Sequence, residues 1–186
     1  TANGDTPPFG GFGLLTPEPA EGEAHHSNGM LRPLLTPVFV SGFHPKLMPY
    51  LENDLKKFNL YPIQASGGSA DIIVNEPLEP GSAMGIAFAR GDMDLTGIGT
   101  VTYVDCDKIA AFGHSMDLVG ETLLPLTTAY MYCVIPRQSL SFKLGVAGQT
   151  IGSITQDRRT CVTGVIGKTT PMFPVRIKVT NLKTGY

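Results

Sequence analysis

The chain has 186 residues and a mass of 19.8 kDa, enough for one domain with a real core. Hydrophobic residues make up 42% and charged residues 16%, against a usual charged share of about a quarter, so the surface is expected to be poor in charge and suited to a packed contact. A net charge of −2 with no run of Lys or Arg longer than two argues against nucleic acid, and no apolar stretch reaches the roughly 18 residues of a membrane span.

Residues 1–28 read as an irregular arm or linker, and 29–186 as a β-rich body. The arm carries Pro7-Pro8, Gly10-Gly11, Gly13, Pro17, Pro19 and Gly22, a density that opposes helix and central strand alike. Phe9, Phe12, Leu14 and Leu15 are apolar enough to dock on another surface. His25-His26 lacks a third ligand nearby and reads as solvated loop. The start has no basic n-region and no apolar h-region, so any export signal is expected to have been removed already.

Leu34–Val40 is a short apolar strand closed by Ser41-Gly42. A helix is expected over 45–58, because Leu47, Leu51, Leu55 and Phe58 form one apolar stripe. Pro45 and Pro49 fit its first turn, Asn59 is a fair stop, and His44 reads as a cap or surface residue. Gln64–Asp71 is a loop by composition, without the Gly-Lys-Ser/Thr of a phosphate loop. Ala83–Ala89 is a small, apolar strand between Pro80-Gly81 and Gly91-Asp92. Leu95–Val104 and Ile109–Phe112 are expected to form a hairpin across Asp105–Lys108. Strands are expected at Thr127–Ile135, Thr150–Thr155 and Cys161–Ile166. Val175, Ile177 and Val179 alternate with Arg176, Lys178 and Thr180, which predicts a half-exposed strand over Val175–Thr180. The fold class is mainly β with one clear helix, a β-barrel or sandwich-like body that forms part of a larger domain.

Cys106, Cys133 and Cys161 are odd in number and widely spaced, without a CxxC or Cys/His pattern. They read as small buried hydrophobes, one disulfide plus a free thiol being the alternative. Asp92 and Asp94 read as turn residues. No metal or cofactor is expected.

His114 has the most plausible catalytic setting of the four histidines. It follows a hairpin strand, and Gly113 before it lets the backbone turn sharply and a substrate strand approach. A histidine at a strand end can project into a cleft as a general base. Ser115 is its neighbour in sequence and therefore a poor nucleophile for it. Ser139 and Ser141 lack a glycine elbow. Thr1 is conceivable as an N-terminal nucleophile with its own amine as base, given a cleavage just before it. Asp157 looks like a turn and ion-pair residue, and Asp157 or Asp117 is a candidate to orient the histidine.

Several segments together resemble the SpoIVB-like serine peptidases. They are Leu35-Thr36-Pro37, Ser41-Gly42-Phe43, Pro80-Gly81, Gly91-Asp92, Gly99-Thr100-Val101-Thr102 with Asp105, and Ala111-Phe112-Gly113-His114. The match continues through Ser141-Phe142-Lys143-Leu144, Gly148-Gln149-Thr150-Ile151-Gly152 and Thr155-Gln156-Asp157-Arg158, covering roughly Met30 to Val179 in order and spacing. The resemblance implies that His114 is the base that activates a serine. The family's Gly-Met-Ser-Gly-Ser-Pro motif, which holds that serine, is absent from these 186 residues. The family's acidic partner of the histidine has no assignable position.

The expectation is therefore a fragment or subunit of a serine endopeptidase. It would cleave peptide or protein substrates when a second polypeptide segment, or a neighbouring copy, supplies the serine. The turn-like ending Asn181–Tyr186 fits truncation or nicking of a longer chain. An exported location follows: periplasm, cell envelope or extracellular space. The alternative is a catalytically inactive, peptidase-derived binding or assembly module. A body missing strands is expected to leave an open sheet edge and an apolar groove near His114.

Overall fold

The computed structural model describes residues 36–65, 76–136, 142–178 and 180. The arm over 1–28 with Thr1 and His25-His26, most of the loop after Gln64, Ser139, Ser141 and the ending 181–186 lie outside the described residues.

The chain begins its described course with a strand–helix–strand unit. Strand β1, Thr36–Ser41, is buried along almost its whole length, as the run Val38-Phe39-Val40 demands. It pairs in parallel with β2, Leu60–Gln64, with Thr36 opposite Leu60 and Val40 opposite Gln64. A parallel pair needs a crossover. The crossover is the expected helical segment: a 3-10 turn at Pro45–Leu47, helix α1 at Met48–Leu55 and a second 3-10 turn at Lys56–Phe58. The His44 ring caps it by accepting the Lys46 N–H at 3.2 Å. Asn59 stops it in the left-handed region, at φ 56°, and its carbonyl accepts the Thr36 N–H at 2.8 Å. The apolar stripe is only partly used: Leu55 packs on the core, whereas Leu47 and Phe58 are exposed.

Six further strands follow: β3 Ala83–Ala89, β4 Asp94–Asp105, β5 Lys108–Ala111, β6 Gly120–Ile135, β7 Phe142–Arg158 and β8 Cys161–Ile166. The sheet order is β2-β1-β4-β3-β6-β7-β8-β5, and β5 also pairs with β4. That last pairing shuts β4, β3, β6, β7, β8 and β5 into a hydrogen-bonded ring of antiparallel neighbours. The strand β4 is long enough to serve two neighbours on one edge. Val38–Ser41 of β1 lies along Asp94–Gly97, and β5 lies along Val101–Asp105. An open edge near His114 was expected, and the structure corrects this: β5, from which the His114 loop hangs, is paired on both sides, with β4 and with β8, and the ring closes within one copy.

The inward-facing side chains form the core. Met84, Ile86, Val101, Leu126, Ile154 and Val162 are essentially inaccessible and share one cluster with Val38 of β1. Each large apolar side chain buried this way stabilises the fold by about 1.5–3 kcal/mol.

Three other expectations need correction. The strands β6 and β7 are far longer than Thr127–Ile135 and Thr150–Thr155. Register slips such as those between Glu121 and Leu124 and between Met131 and Cys133 bend the ribbon they make. Its far end, beyond the reach of β3 and β8, is two-stranded and exposes Tyr130, Tyr132 and Val134. Residues 175–178 form no strand, because β8 already has β7 and β5 as its two neighbours. The chain after Ile166 is held by the Gly167 N–H on the Ile151 carbonyl at 2.8 Å and by the Ser153 hydroxyl on the Lys168 carbonyl at 3.0 Å. Beyond Thr170 it runs exposed, with Phe173 83%, Val175 72% and Ile177 72% accessible. The cysteines are not buried hydrophobes: all three are free, and Cys106 and Cys133 are exposed, Cys106 in the β4–β5 turn and Cys133 on the two-stranded end of the ribbon. No helix among the described residues is long and apolar enough to cross a membrane.

Candidate functional site

The loop from Phe112 to Val119 joins β5 to β6 and carries His114. Its backbone is unusual. Phe112, Gly113 and Leu118 have φ of 72°, 70° and 61°, and Gly120 just beyond has 81°. Glycine accepts such values freely, but for a bulky residue like Phe112 they are strained. Strain of this kind persists only where the surroundings over-determine it, and it concentrates at functional positions.

The surroundings here are two glycines of β4. Gly97 and Gly99 are two residues apart and present the same face. The Phe112 ring lies against Gly99 so closely that a Cβ there would fall inside the ring's van der Waals surface. The Met116 thioether end lies against Gly97 in the same way, and Met116 is buried. The Phe112 N–H donates to the Thr100 carbonyl at 2.9 Å. The hydroxyl of the same Thr100 accepts a hydrogen bond from the Lys143 ammonium of β7. The loop is thus seated by an aromatic ring before the histidine and a thioether after it.

Asp157, near the end of β7, holds the other side. Its Oδ1 accepts the Met116 N–H at 2.8 Å, and its Oδ2 accepts those of Asp117 at 2.9 Å and Leu118 at 2.8 Å. The residue is 2% exposed. The Asp117 side chain bonds the same carboxylate. Burial, that hydrogen bond and the charge of Asp157 together push the Asp117 carboxyl from its ordinary 3.8 up to about 6. Burial acts on Asp157 in the same upward direction, but the donors from Asp117, Met116 and Leu118 outweigh it and hold its carboxyl below the ordinary value. Two carboxyl groups this close share a proton more readily than they ionise together.

His114 itself is exposed. Its Nδ1 lies 2.6 Å from the Ser115 carbonyl oxygen, and its ring meets Phe112 edge-on, with centroids 5.6 Å apart at 77°. A carbonyl oxygen can only accept, so Nδ1 carries the proton and Nε2 is the basic nitrogen in the neutral ring.

The remaining candidates fall elsewhere. The structure brings Asp117 and Asp157 together, but among the described residues Asp157 is held by backbone N–H groups and Asp117, not by His114 or a cation. Ser115 serves through its carbonyl. Asp92 is exposed in the bend before β4. Asp94 is no turn residue: it opens β4 at 6% exposure, bound to Arg90 Nε at 2.8 Å and to the Thr96 hydroxyl at 2.6 Å. Among the described residues no three His, Cys, Asp or Glu side chains are grouped to hold a metal. An open groove of about 300 Å³ lies between Glu76–Leu78 and Ala129–Met131, and no residue of the His114 loop lines it.

Sequence reasoning passed over Gly97, Thr100 and Lys143 as site residues, and mistook the work of Asp157. The available signal was the glycine pair Gly97-Ile98-Gly99, whose spacing of two places both on one face of a strand. No family model, no curated protein and no solved structure matches the chain.

Proposed function

We propose that the chain is the histidine-bearing part of a serine peptidase of the SpoIVB-like kind, exported from the cell, with His114 as general base and the nucleophilic serine on another polypeptide segment or a neighbouring copy. One observation carries the reading: an exposed imidazole whose Nδ1–H is tied to a carbonyl, so that Nε2 is the free base, on a strained loop that the fold grips from two sides. In the reaction Nε2 takes the proton of the serine hydroxyl as its oxygen attacks the substrate carbonyl. The imidazolium then gives that proton to the leaving amine, and water repeats the cycle on the acyl-enzyme. The Ser115 carbonyl stabilises the imidazolium less than a carboxylate would, and the serine-bearing segment is the place for the missing acid.

The test is covalent labelling of the full-length protein with a fluorophosphonate probe. The expected result is one labelled serine, with labelling lost in His114→Gln. Absence of labelling in folded full-length material would remove the peptidase assignment.

A second reading, an inactive assembly module, has its own support in the exposed Tyr130, Tyr132 and Val134 on the two-stranded end of the ribbon and in the exposed Phe173, Val175 and Ile177. Apolar surface of this extent on extended chain marks contact sites. It predicts an oligomer by native mass spectrometry at micromolar concentration, reduced to monomer by Tyr132→Lys with Val134→Lys. A monomer in the unsubstituted protein would sink it.

A further inference from the structure

We infer that Asp157 is the positioning residue for His114 and that Asp117 makes its grip depend on pH: the two carboxyl groups form a latch on the loop that holds while they share one proton and loosens when both are charged. This deepens the peptidase reading by naming what sets the histidine's geometry, and as a property of the loop it can be measured apart from hydrolysis.

The geometry carries the inference. Three consecutive backbone donors, those of Met116, Asp117 and Leu118, converge on the two oxygens of one buried carboxylate. Those residues begin two positions after His114, and Ser115, whose carbonyl fixes the ring, lies between. The segment is also anchored by Met116, which is buried in the core against Gly97. Moving Asp157 therefore moves Ser115 and with it the imidazole. The protonated Asp117 side chain can donate to Asp157; the ionised one can only repel it.

Among the described residues, the groups that set the charge state of the pair are the two carboxyls themselves and the backbone donors of Met116, Asp117 and Leu118. On β4, Gly97 is flanked by Thr96 and Ile98, which carry no charge. On β8, Val162 stands opposite Asp157. On β6, Gly120 stands opposite Asp157, and Glu121 stands opposite Gln156 one position along. On β7, the Arg158 Nε donates to Gln156 Oε1 at 2.7 Å, and its guanidinium comes near Gly120. On the loop itself the remaining titratable group is His114.

The sign follows from the two carboxyls. Asp117 is raised, so it binds its proton more tightly in the closed loop than in an unfolded chain. Its contribution is complete below its ordinary 3.8 and is lost as the pH rises through about 6. Asp157 is lowered, so its contribution is present above the ordinary 3.8 and is lost as the pH falls through its own, lower value. The latch is therefore firmest in mildly acid solution and slackens toward neutrality.

Carboxyl 13C and amide NMR of the whole chain test this. In the unsubstituted protein the Asp117 carboxyl and the amides of Met116, Asp117 and Leu118 should titrate together near pH 6. Exchange of those amides, corrected for its intrinsic pH dependence, should rise roughly tenfold between about pH 5 and about pH 7.5. In Asp117→Asn the amide supplied to Asp157 cannot ionise, so the step and the rise should vanish while the His114 ring 15N shifts keep their Nδ1–H signature. His114→Gln must leave the step in place, which assigns it to the carboxyl pair. In Asp157→Asn, where the fold is retained, the Nδ1–H signature should be lost at every pH. A step that persists in Asp117→Asn, or a His114 signature unmoved by Asp157→Asn, would overturn the latch. Either result leaves the fluorophosphonate test of the peptidase reading untouched.

Discussion

On the proposed peptidase reading, replacing His114 by alanine in the full-length protein is expected to slow amide hydrolysis by about 10,000-fold or more while shifting the melting temperature by less than about 2 °C. Both halves follow from the same facts. The ring is exposed, its hydrogen bond goes to the adjoining carbonyl, and it meets the Phe112 ring at a steep angle, so little packing is lost. The chemistry, in contrast, has no substitute base in the loop: Asp157 is occupied by three N–H groups, and Asp117 by Asp157. Steady-state hydrolysis of a peptide substrate and a thermal melt on the same preparation check it. Undiminished turnover with an unchanged melt would show that catalysis, if present, lies elsewhere.

Gly99→Ala is expected to destabilise the chain by about 1–3 kcal/mol, because overpacking a filled site forces side chains off their rotamers. For a domain of this size that is a fall of about 3–10 °C in melting temperature. The new methyl would collide with the Phe112 ring, whose backbone is anchored by its N–H on the Thr100 carbonyl. The site would suffer too, since the His114 ring packs against that ring. Phe112→Gly removes both the ring and the left-handed strain. In that background the further change Gly99→Ala should cost less than about 0.5 kcal/mol, and a double-mutant cycle by urea denaturation measures the difference. Equal penalties in both backgrounds would place the damage away from Phe112.

Local patterns foretold the local structure well. Ala83–Ala89 is the strand its apolar run implied, residues 45–58 are helical, and the β4–β5 hairpin turns at Cys106 and Asp107. What failed depended on partners distant in the chain. Val175–Lys178 has a sound alternating pattern, but a strand needs a vacant edge, and the ring had none to offer. Leu60–Gln64 went unnoticed because Pro62 interrupts so short a run; at a sheet margin the missing N–H does no harm. The ends of β6 and β7 were hidden by Pro125 and by Gly145 and Gly148, which dilute the apolar signal. Within the site, His114 was legible from its Gly-His step at the end of a hairpin strand. The grip of Asp157 was not, because its donors lie some forty residues earlier in sequence and meet it only through the antiparallel return of β7. An aspartate followed by two arginines suggests an ion pair, and nothing in that run reveals that backbone amides take its place.

The closure of the ring has a consequence for how the molecule assembles. The β4–β5, β6–β7 and β7–β8 pairs join neighbouring segments and can zip from their turns. The seam is different: it requires Lys108–Ala111 to find Val162–Val165, and the intervening chain must first surrender its freedom. One of the shortest strands, four residues long, thus carries the contact with a long sequence separation. That seam is expected to shut late and all at once. The His114 loop hangs directly from the end of β5, and its Asp157 clasp sits on the strand that β8 pairs with. The would-be catalytic loop therefore takes its shape only in the final stage of folding, so an incompletely folded chain would carry the histidine without its geometry.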